Sequence, residues 1–507
     1  MTSSSPPDIT TAAPSRASVV DLTFALWALL IPLLLHGRLL NADGDLARHL
    51  VMGEHILQHG PRFPDVFSFS RAGEPFLAYE WLSQVTLHLA HRLGGFPGIA
   101  VMAGGVIAAA LALVVAYVRR RGGDPWLAYM TGAAAAVLSG PHWIARPHLF
   151  TLLALPILLH LLDEQRPRLL AIAALFTVWA NLHPGFLYGV LFVAVVSSGR
   201  LLERGLARDW TRNAWAEAVT PLVVAVGASL INPFGWALHA HAITHLGNTE
   251  VLTAIDEFKP LDMVSLYGAL IMTVTGAVVV GLSAQRERVP LDVLGAFLMG
   301  LFAAIVARRN GPLLAVGGLP MVARSLTPAV TRLPDWFAGR MRREFRRSDG
   351  RGRRASFAAL VALATVLLLG GRVGGITLIP ARFSDERFPL EAVRRAREAG
   401  LSGRLLTEYT WGGYVLHAWP EQRIFVDSMA DFFGPELVYQ YSMMRDAGPE
   451  WRTLLETHDI SLVLLSPDAP LARELRQDRR WTLWHEDPTA VLFVRGAFHR
   501  PRTPQGR

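Results

Sequence analysis

Apolar runs long enough to cross a bilayer recur along most of the chain, and polar connections separate them. A transmembrane α-helix needs roughly 17–25 predominantly apolar residues. The pattern therefore predicts an α-helical polytopic membrane protein with about eleven transmembrane helices. The three shortest runs, at 125–140, 168–182 and 311–325, could instead be re-entrant or tilted segments. The predicted runs are 20–40, 98–118, 125–140, 148–162, 168–182, 186–202, 214–231, 264–283, 290–307, 311–325 and 356–371.

Arginine is distributed unevenly among the polar connections. Connections rich in arginine alternate strictly with connections that carry histidine, asparagine and carboxylates. The positive-inside rule assigns the first set to the cytoplasm, so the second set and everything after the last span are predicted to be exoplasmic. The arginine-rich set comprises 119–121, 166–168, 200–212, 286–288 and 324–354. The second set comprises 43–81, 142–148, 181–185, 232–262 and 308–310.

The pattern changes after the last apolar run, where strand-like runs alternate with helical stretches. Such alternation is typical of a small α/β domain. The predicted strands are 404–408, 423–427, 461–465, 481–485 and 491–495, and the predicted helices are 389–399, 412–419, 435–447, 450–458 and 470–477. The predicted regions are a disordered cytoplasmic tail (1–18), a membrane module (19–372) with an exoplasmic loop (41–97), a basic cytoplasmic loop (325–355) and an exoplasmic α/β domain (380–500).

Composition agrees with a membrane protein and narrows the chemistry. The chain has 507 residues, of which 51% are hydrophobic and only 18% charged, with no cysteine. Disulfide and thiolate chemistry are therefore excluded. The net charge of +8 could suggest nucleic acid, but the arginines lie in loops between apolar runs, as topology signals do. The expected partners therefore include membrane lipids and no nucleic acid. Residues 1–17 lack the basic start of a signal peptide, so we expect a tail before a retained first span.

The loop that follows the first span concentrates acidic and imidazole groups. Ionisable groups are costly to place near lipid, so they indicate a functional site. We expect the other exoplasmic connections to converge over this loop and form a chamber for an anionic, polar substrate. The alternative is that these loops form an interfacial belt, which Trp81, Trp143, Trp179 and Trp236 would suit. That alternative is the better one for single histidines, whereas the whole set favours a site.

The candidate catalytic residues are Asp43, Asp45, His49 and Glu80. Either Asp43 or Asp45 could accept a proton from an attacking hydroxyl as a general base. The same pair could hold a divalent cation such as Mg²⁺ or Mn²⁺ through carboxylate oxygens, although no cofactor is certain. Asp43 could also cap the helix predicted from 46 to 57. Glu80 could interact with the dipole of the next helix, or orient an acceptor or His49.

Several exoplasmic side chains could bind phosphate, because arginine presents a planar fork of donors to it. The candidate phosphate-binding residues are Arg146, His148, His183, Arg308 and Arg309. Arg308 and Arg309 depart from the arginine-inside pattern, which topology alone leaves unexplained. The candidate substrate-binding residues are Trp81, Asn181, Asn232, Asp256 and Glu257. The sequence has no Walker A motif, no G-x-G-x-x-G after a strand and no H-E-x-x-H metal motif.

Short elements spread over most of the chain resemble a known family. They are D-x-D-x-x-x-H (43–49), a Gly-to-Ser element (53–68), E-W-L (80–82), R-P-x-x-F (146–150), N-L-H-x-G-F (181–186), N-P-x-G (232–235), W-G-G-Y (411–414) and V-D-S (426–428). The chain resembles the polytopic C-fold (GT-C) glycosyltransferases that use polyprenyl-phosphate-linked sugars, and especially a group of bacterial membrane proteins of this type. The GT-C proteins carry acidic residues in the first exoplasmic loop, where Asp43 and Asp45 lie.

The resemblance implies a GT-C fold and an inverting glycosyltransferase with a carboxylate base. It also implies a polyprenyl-phosphate-linked sugar donor, a glycan, lipid or protein acceptor, and a multi-pass protein of the bacterial inner membrane and cell envelope whose active face is periplasmic or extracellular. The alternative is a non-catalytic protein of lipid-linked glycan translocation or envelope assembly. A transporter should carry ionisable groups at span centres. These spans are rich in Ala, Leu and Val, which favours the enzyme.

Overall fold

The computed structural model describes residues 18–163, 168–208, 211–247, 256–285, 287–332, 339, 352–380 and 382–496. The predicted tail (1–18) and basic loop (325–355) therefore fall mainly outside the described residues. Helices of the first half are α1 (Ser18–Leu34), α2 (His36–Asn41), α3 (Asp45–His59), α4 (Trp81–Arg120), α5 (Pro125–Ser139), α6 (His148–Leu162), α7 (Leu169–Leu182), α8 (Phe186–Leu206), α9 (Arg212–Ser229) and α10 (Trp236–Gly247).

The later helices are α11 (Leu266–Ser283), α12 (Leu291–Val306), α13 (Arg308–Val330, with a π-helical turn at Leu314–Gly318), α14 (Gly352–Leu368), α15 (Leu390–Glu398), α16 (Gly412–Ala418), α17 (Ala430–Arg445), α18 (Trp451–Thr457) and α19 (Pro470–Gln477). Four of all these helices, α4, α8, α11 and α13, are long and apolar enough to cross a membrane by length and composition, and six more are shorter and apolar. Each of the eleven predicted apolar runs is mainly helical. The predicted α-helical polytopic fold is confirmed.

Two spans differ from the predicted boundaries. The first apolar run is interrupted, because α1 ends at Leu34 and a separate short helix, α2, follows. In contrast, α4 begins at Trp81, well before the predicted run at 98–118, and a kink with φ +60 at Gly95 joins its two parts. Glycine adopts this left-handed conformation at little cost, and Pro97 follows it as the first turn restarts. The helix α4 thus links the acidic loop directly to the bundle.

The bundle packs around α4. This helix contacts α1, α3, α5 and α6, while α8 packs on α9 and α12. Gly199 of α8 lies so close to α12 that a Cβ there would come 2.5 Å from the Cα of Asp292. Local caps reinforce the spans: the Asp124 carboxylate accepts a hydrogen bond from the Trp126 N–H at 2.9 Å before Pro125 starts α5.

The C-terminal region contains a four-stranded sheet beside α15–α19. Its strands are β5 (Arg404–Thr407), β6 (Ile460–Leu465), β7 (Trp481–Glu486) and β8 (Val491–Arg495), in the order β5-β6-β8-β7 with only the β5–β6 pair parallel. Two antiparallel pairs precede them, β1 (Arg62–Pro64) with β2 (Pro75–Leu77), and β3 (Arg372–Val373) with β4 (Ile376–Thr377). The predicted small α/β region is therefore present.

The predicted strand at 423–427 is wrong as a regular strand. Ile424 forms only isolated bridges, to Ser68 of the acidic loop on one side and to Leu405 of β5 on the other. The Phe69 N–H donates to the Ile424 carbonyl at 3.0 Å, and the Phe425 N–H donates to the Leu405 carbonyl at 3.0 Å. The segment thus joins the acidic loop to the C-terminal sheet, and the two share one apolar core that includes Phe63, Phe76, Phe425, Phe433 and Val463.

Candidate functional site

Arg146 lies at the centre of a cluster of carboxylates. Its Nε lies 2.8 Å from Asp43 Oδ2, its Nη2 lies 2.5 Å from Asp45 Oδ2, and its Nη1 lies 3.4 Å from Glu257 Oε1. The Arg146 side chain is only 19% exposed, and the two aspartates are similarly covered. A largely buried guanidinium requires partners of opposite charge, and here the D-G-D turn provides two and the loop of Glu257 provides the third.

The D-G-D turn is formed where α2 ends and α3 begins. Asp43 Oδ1 accepts a hydrogen bond from the Asp45 N–H at 2.9 Å, so one oxygen supports the start of α3 while the other faces Arg146. The N-cap of α3 is Gly44 rather than Asp43 as predicted, so Asp43 supports the helix start through the Asp45 N–H alone, and its catalytic role stays a prediction. The loop that carries Arg146 is fixed against α2, because the Ala145 N–H donates to the Leu39 carbonyl at 2.9 Å.

Glu257 connects Arg146 to a second arginine. Arg309 Nη1 lies 3.6 Å from Glu257 Oε1, and its guanidinium stacks 4.2 Å from the centre of the Phe258 ring. The Arg308 N–H donates to the Lys259 carbonyl at 3.1 Å, which holds the segment after α10 against the start of α13. The structure thus brings Glu257 and Arg309 into the cluster as predicted, while the side chain of Asp256 lies outside the described part.

A second polar group surrounds Glu80, directly before α4. His183 Nε2 lies 3.7 Å from Glu80 Oε1. His183 Nδ1 accepts the Gly185 N–H at 3.0 Å and lies 2.8 Å from Thr151 Oγ1, whose oxygen in turn accepts the Trp179 indole N–H at 2.8 Å. These contacts occupy Nδ1 as an acceptor, so the ring hydrogen of neutral His183 is on Nε2 and points toward Glu80.

Burial perturbs the titration of these groups. Burial, reinforced by the charges of Asp431 and Asp45, raises the pKa of Glu80 to about 8. Burial also raises the pKa of Asp43 to about 6, against the opposing charge of Arg146. Burial lowers the pKa of His49 to about 4 and that of His183 to about 3. At neutral pH the site therefore contains an ionised Asp43, a mostly protonated Glu80 and two neutral histidines.

His49 occupies the same face of α3 as Asp45, one turn further along, and is only 5% exposed. Its Nδ1 is buried and has no hydrogen-bond partner among the described residues. His148, in contrast, uses one ring nitrogen within its own loop, because its Nε2 lies 2.7 Å from the carbonyl oxygen of His142. His49 thus has an imidazole nitrogen available beside the carboxylates, whereas one nitrogen of His148 holds its loop.

The predicted substrate-binding side chains Trp81, Asn181 and Asn232 line an open groove of about 450 Å³ beside Glu80. The Trp81 indole N–H donates to Asn181 Oδ1 at 2.7 Å, and Asn181 Nδ2 donates to the carbonyls of Thr177 and Ile231. Asn232 Nδ2 donates to the Ser229 carbonyl at 2.9 Å, so it stabilises the turn after α9. These amides organise the wall of the groove, and their contact with substrate stays a prediction.

The C-terminal region contributes residues that the sequence patterns did not single out. Asp431, near the start of α17, lies 3.2 Å from His241 Nε2 through its Oδ2, and its charge is among those that raise the pKa of Glu80. It also hydrogen-bonds the Tyr79 hydroxyl, the neighbour of Glu80 in sequence. No motif identified Asp431, although it follows the V-D-S element closely.

A buried ion pair fixes the C-terminal region on the D-G-D turn. Arg48 Nη1 lies 2.5 Å from Asp427 Oδ2, and the two side chains are 1% and 0% exposed. The Arg48 guanidinium also lies 5.0 Å from the centre of the Phe67 ring. A Cβ on Gly44 would overlap the carbonyl of Thr410, and one on Gly413 would come 2.8 Å from the Arg48 backbone N. Only glycine fits at these two positions, so the W-G-G-Y element closes directly over the turn.

The carboxylates of Asp43 and Asp45 are not arranged to hold a divalent cation. Asp43 and Asp45 each direct an oxygen to Arg146, a position that a cation would need. Within the described ranges, no three His, Asp or Glu side chains form a group that could hold a metal. The predicted divalent cation therefore stays a prediction.

The fold is similar to that of solved membrane enzymes. The oligosaccharyltransferase of Archaeoglobus fulgidus, solved with a tethered acceptor peptide containing the NVT sequon, matches with a TM-score of 0.53 and 12% identity, covering 88% of this chain and 68% of that one. ArnT of Cupriavidus metallidurans in the apo state matches with a TM-score of 0.50 and 14% identity, covering 94% and 97%. ArnT of the same organism bound to undecaprenyl phosphate gives a TM-score of 0.48 and 12% identity, covering 93% and 97%.

No protein-family model matches the sequence, and no curated protein matches it significantly. At identities this low, the likeness to solved structures shows the fold alone. It confirms the GT-C fold that the sequence elements implied. What the chain does must then be argued from its own residues.

Proposed function

We propose that this protein is a membrane glycosyltransferase that moves a sugar from a polyprenyl-phosphate-linked donor to an acceptor hydroxyl. The observation that carries the proposal is the cluster in which Arg146 holds Asp43, Asp45 and Glu257. It combines a carboxylate able to take a proton with guanidinium groups able to bind a phosphate, which are the two functions that sugar transfer from a lipid phosphate requires. The GT-C fold supports this reading.

The geometry favours Asp45 as the general base. Only its Oδ2 pairs with Arg146, and its second oxygen makes no hydrogen bond within the described residues. Asp43, in contrast, uses one oxygen for the Asp45 N–H and the other for Arg146. A base needs a free oxygen within reach of the acceptor proton, so Asp43 acts as a positioning residue that holds Arg146 and the turn.

The reaction is a single inverting displacement. The acceptor oxygen bonds to the anomeric carbon of the sugar as the bond from that carbon to the donor phosphate oxygen breaks. The acceptor proton passes to Asp45, and polyprenyl phosphate leaves with the electron pair of the broken bond. Arg309 faces this developing charge, because its ion pair with Glu257 is loose at 3.6 Å and its side chain is 26% exposed. Arg146 shares Glu257 with Arg309, and Arg308 precedes Arg309 in the chain, so both extend the phosphate-binding surface in this proposal.

Orientation in the membrane follows from the arginine alternation. We place the site on the periplasmic or extracellular face of the inner membrane, where lipid-linked sugars would meet a glycan, lipid or protein acceptor. The chain has no cysteine, so a single cysteine at Ser70 should react with an impermeant thiol reagent in intact spheroplasts. Labelling only after the membrane is permeabilised would contradict this orientation.

The decisive experiment uses purified protein reconstituted with polyprenyl-phosphate sugars and a hydroxyl acceptor. We expect Asp45→Asn to lower the transfer rate by about 10²–10⁴-fold, because asparagine keeps size and hydrogen bonding but takes no proton. Donor binding should be near normal. Asp43→Asn should give a smaller loss, and Glu80→Gln is the matched carboxylate control.

A rate loss confined to Asp43→Asn would transfer the role of base to that residue, and one confined to Glu80→Gln would transfer it to the second polar group. If the unmodified protein bound the donor saturably but transferred no sugar, the proposed enzymatic activity would be wrong. A role in translocation or envelope assembly would then be favoured.

A further inference from the structure

A second polar cavity, of about 800 Å³, lies at the other end of the bundle. It is formed where α4 and α8 end, where α12 begins and where α13 leaves its π-helical turn. The charged side chains that line it are Arg121, Arg200, Arg288, Arg324, Glu287 and Asp292. Arginines outnumber carboxylates two to one, so the cavity is net positive, and the hydroxyls of Ser325 and Thr327 add further polar groups.

The cavity and the candidate active site are separated by the length of the spans. Helix α12 begins at Leu291 beside the cavity and ends at Val306, two residues before Arg308. Its sixteen residues extend about 24 Å at 1.5 Å per residue. Similarly, α4 begins next to Glu80 and ends next to Arg121. A phosphate bound in one site therefore cannot touch the other site, and by the arginine alternation this cavity opens to the cytoplasm.

Two of the four arginines are already committed. Arg200 Nε lies 3.1 Å from Asp292 Oδ2, and its Nη2 donates to the Leu162 carbonyl at 2.9 Å. Arg121 forms an ion pair with Asp163. Arg288 and Arg324 are exposed, and neither makes an ion pair or a hydrogen bond to any described residue. The cavity thus holds two guanidinium groups that have their full donor capacity available.

Topology signals alone do not account for this arrangement. An arginine in any cytoplasmic loop satisfies the positive-inside rule, as the exposed Arg212 at the start of α9 does. The rule requires no cavity and no convergence of side chains from separate elements. Arg288 comes from the connection between α11 and α12, whereas Arg324 comes from α13, and they meet only in the folded bundle.

We propose that this cavity binds a phosphate group, with Arg288 and Arg324 as the contacting residues and Arg121 and Arg200 as the charged wall behind them. Two guanidinium forks match the charge and oxygen geometry of a phosphate. The group could belong to the headgroup of an anionic phospholipid, since basic pockets between transmembrane helices hold such headgroups. It could equally belong to free phosphate. The site is independent of sugar transfer.

The test is a titration of purified protein in a neutral detergent and a phosphate-free buffer, read as thermal unfolding at constant ionic strength. The probes are short-chain phosphatidylglycerol, inorganic phosphate and, as the zwitterionic counterpart whose choline cation balances the phosphate, short-chain phosphatidylcholine. We expect saturable stabilisation by phosphatidylglycerol or phosphate. At about fivefold per arginine, the double variant Arg288→Gln/Arg324→Gln should raise the apparent Kd about 25-fold. Arg212→Gln removes one positive charge on the same face outside the cavity and should change Kd less than about twofold, against about fivefold for either single cavity variant.

The titrations with the different probes distinguish a lipid headgroup from free phosphate as the ligand. Saturation by phosphatidylglycerol alone assigns the site to a lipid headgroup, and saturation by inorganic phosphate as well assigns it to free phosphate. Equal weakening by Arg212→Gln would reduce the effect to general surface charge and overturn the proposal, as would the absence of saturation by either anion. The single variants Arg288→Gln and Arg324→Gln replace the double variant if its unfolding without ligand departs from the parent profile.

Discussion

Arginine serves opposite ends of this bundle in two different ways. At the D-G-D turn, Arg146 is largely buried and shares three carboxylates. At the other end, Arg288 and Arg324 line a cavity while exposed, without an ion pair among the described residues. Burial forces a charged group to find partners, whereas exposure lets water satisfy it. The paired arginine therefore organises a site permanently, and the unpaired arginines are available to a ligand.

The same difference governs the titratable groups. Carboxylates and imidazoles around Arg146 are desolvated, so the pKa of Glu80 rises to about 8 while that of His49 falls to about 4. Perturbation in opposite directions within one cleft is typical of sites that transfer protons. The number of arginines in each loop could not reveal this difference between the two ends, because it gives the position and charge of each side chain but not its burial.

The largest expected effect comes from replacing the buried arginine. Arg146→Gln leaves Asp43, Asp45 and Glu257 without their shared partner. We expect a loss of about 3–5 kcal/mol in the free energy of unfolding, together with loss of sugar transfer. Arg146→Lys keeps the charge but not the fork, so its loss should be intermediate. The measurement is unfolding in neutral detergent and phosphate-free buffer, at neutral pH.

Arg324→Gln is the matched change at the opposite end. Because Arg324 is exposed, its removal should alter the free energy of unfolding by no more than about 0.5 kcal/mol. If the two variants lost equal stability, burial would not be what distinguishes the two ends, and the comparison would fail.

The sequence could predict on which side of the bundle each loop lies, but not the burial and contacts of its side chains. Alternation of spans was enough to predict that Asp43, Asp45, Arg146 and Arg309 face one side, because in a bundle the side of each loop depends only on the number of crossings. The structure brings all four together. The substrate roles of Asn181 and Asn232 could not be judged from sequence, since their donors are used by local carbonyls that only the fold reveals.

The sequence predicted the α/β character and the side of the C-terminal region, but not its contacts with the acidic loop. Arg48 and Asp427 are 379 positions apart, and the buried pair between them depends on how the sheet docks on the acidic loop. The expected strand at 423–427 failed for the same reason, because Ile424 divides its pairing between Ser68 and Leu405. Periodicity reports local structure, whereas these contacts are set by the tertiary interface.

A double-mutant cycle on Arg48 and Asp427 measures that interface. Either Arg48→Met or Asp427→Asn leaves an unpaired buried group, whereas the double variant removes both. We expect a coupling energy of about 1–3 kcal/mol, with the double variant more stable than the sum of the single losses predicts. Sugar transfer should fall in each single variant, because the D-G-D turn loses the contact that fixes it.

The control for this cycle is the exposed pair Arg394 and Glu398 on α15, which lies one helical turn apart. Its coupling should be no more than about 0.5 kcal/mol. A coupling for Arg48 and Asp427 that is equally small would mean that the C-terminal region does not hold the turn through this ion pair.

A smaller effect than either buried ion pair should give is a pH dependence that isolates Glu80. A carboxyl whose pKa rises to about 8 on folding binds its proton more tightly in the folded protein, so stability is present at low pH and is lost as pH increases toward 8. The lowered pKa values of His49 and His183 act in the opposite direction, but only below about pH 6.5, where the unfolded imidazoles take up protons. The pKa of Asp43, raised to about 6, also lies below pH 6.5. Between pH 6.5 and 8 the free energy of unfolding should therefore fall by about 1–2 kcal/mol, at no more than about 1.4 kcal/mol per pH unit for one proton.

Glu80→Gln should flatten this part of the pH profile, and Asp431→Asn should move the fall to lower pH, because removing a neighbouring negative charge lowers the pKa of Glu80. An unchanged slope in Glu80→Gln would show that another group titrates there and that Glu80 is ionised at neutral pH, which would make it a competitor of Asp45 for the role of base.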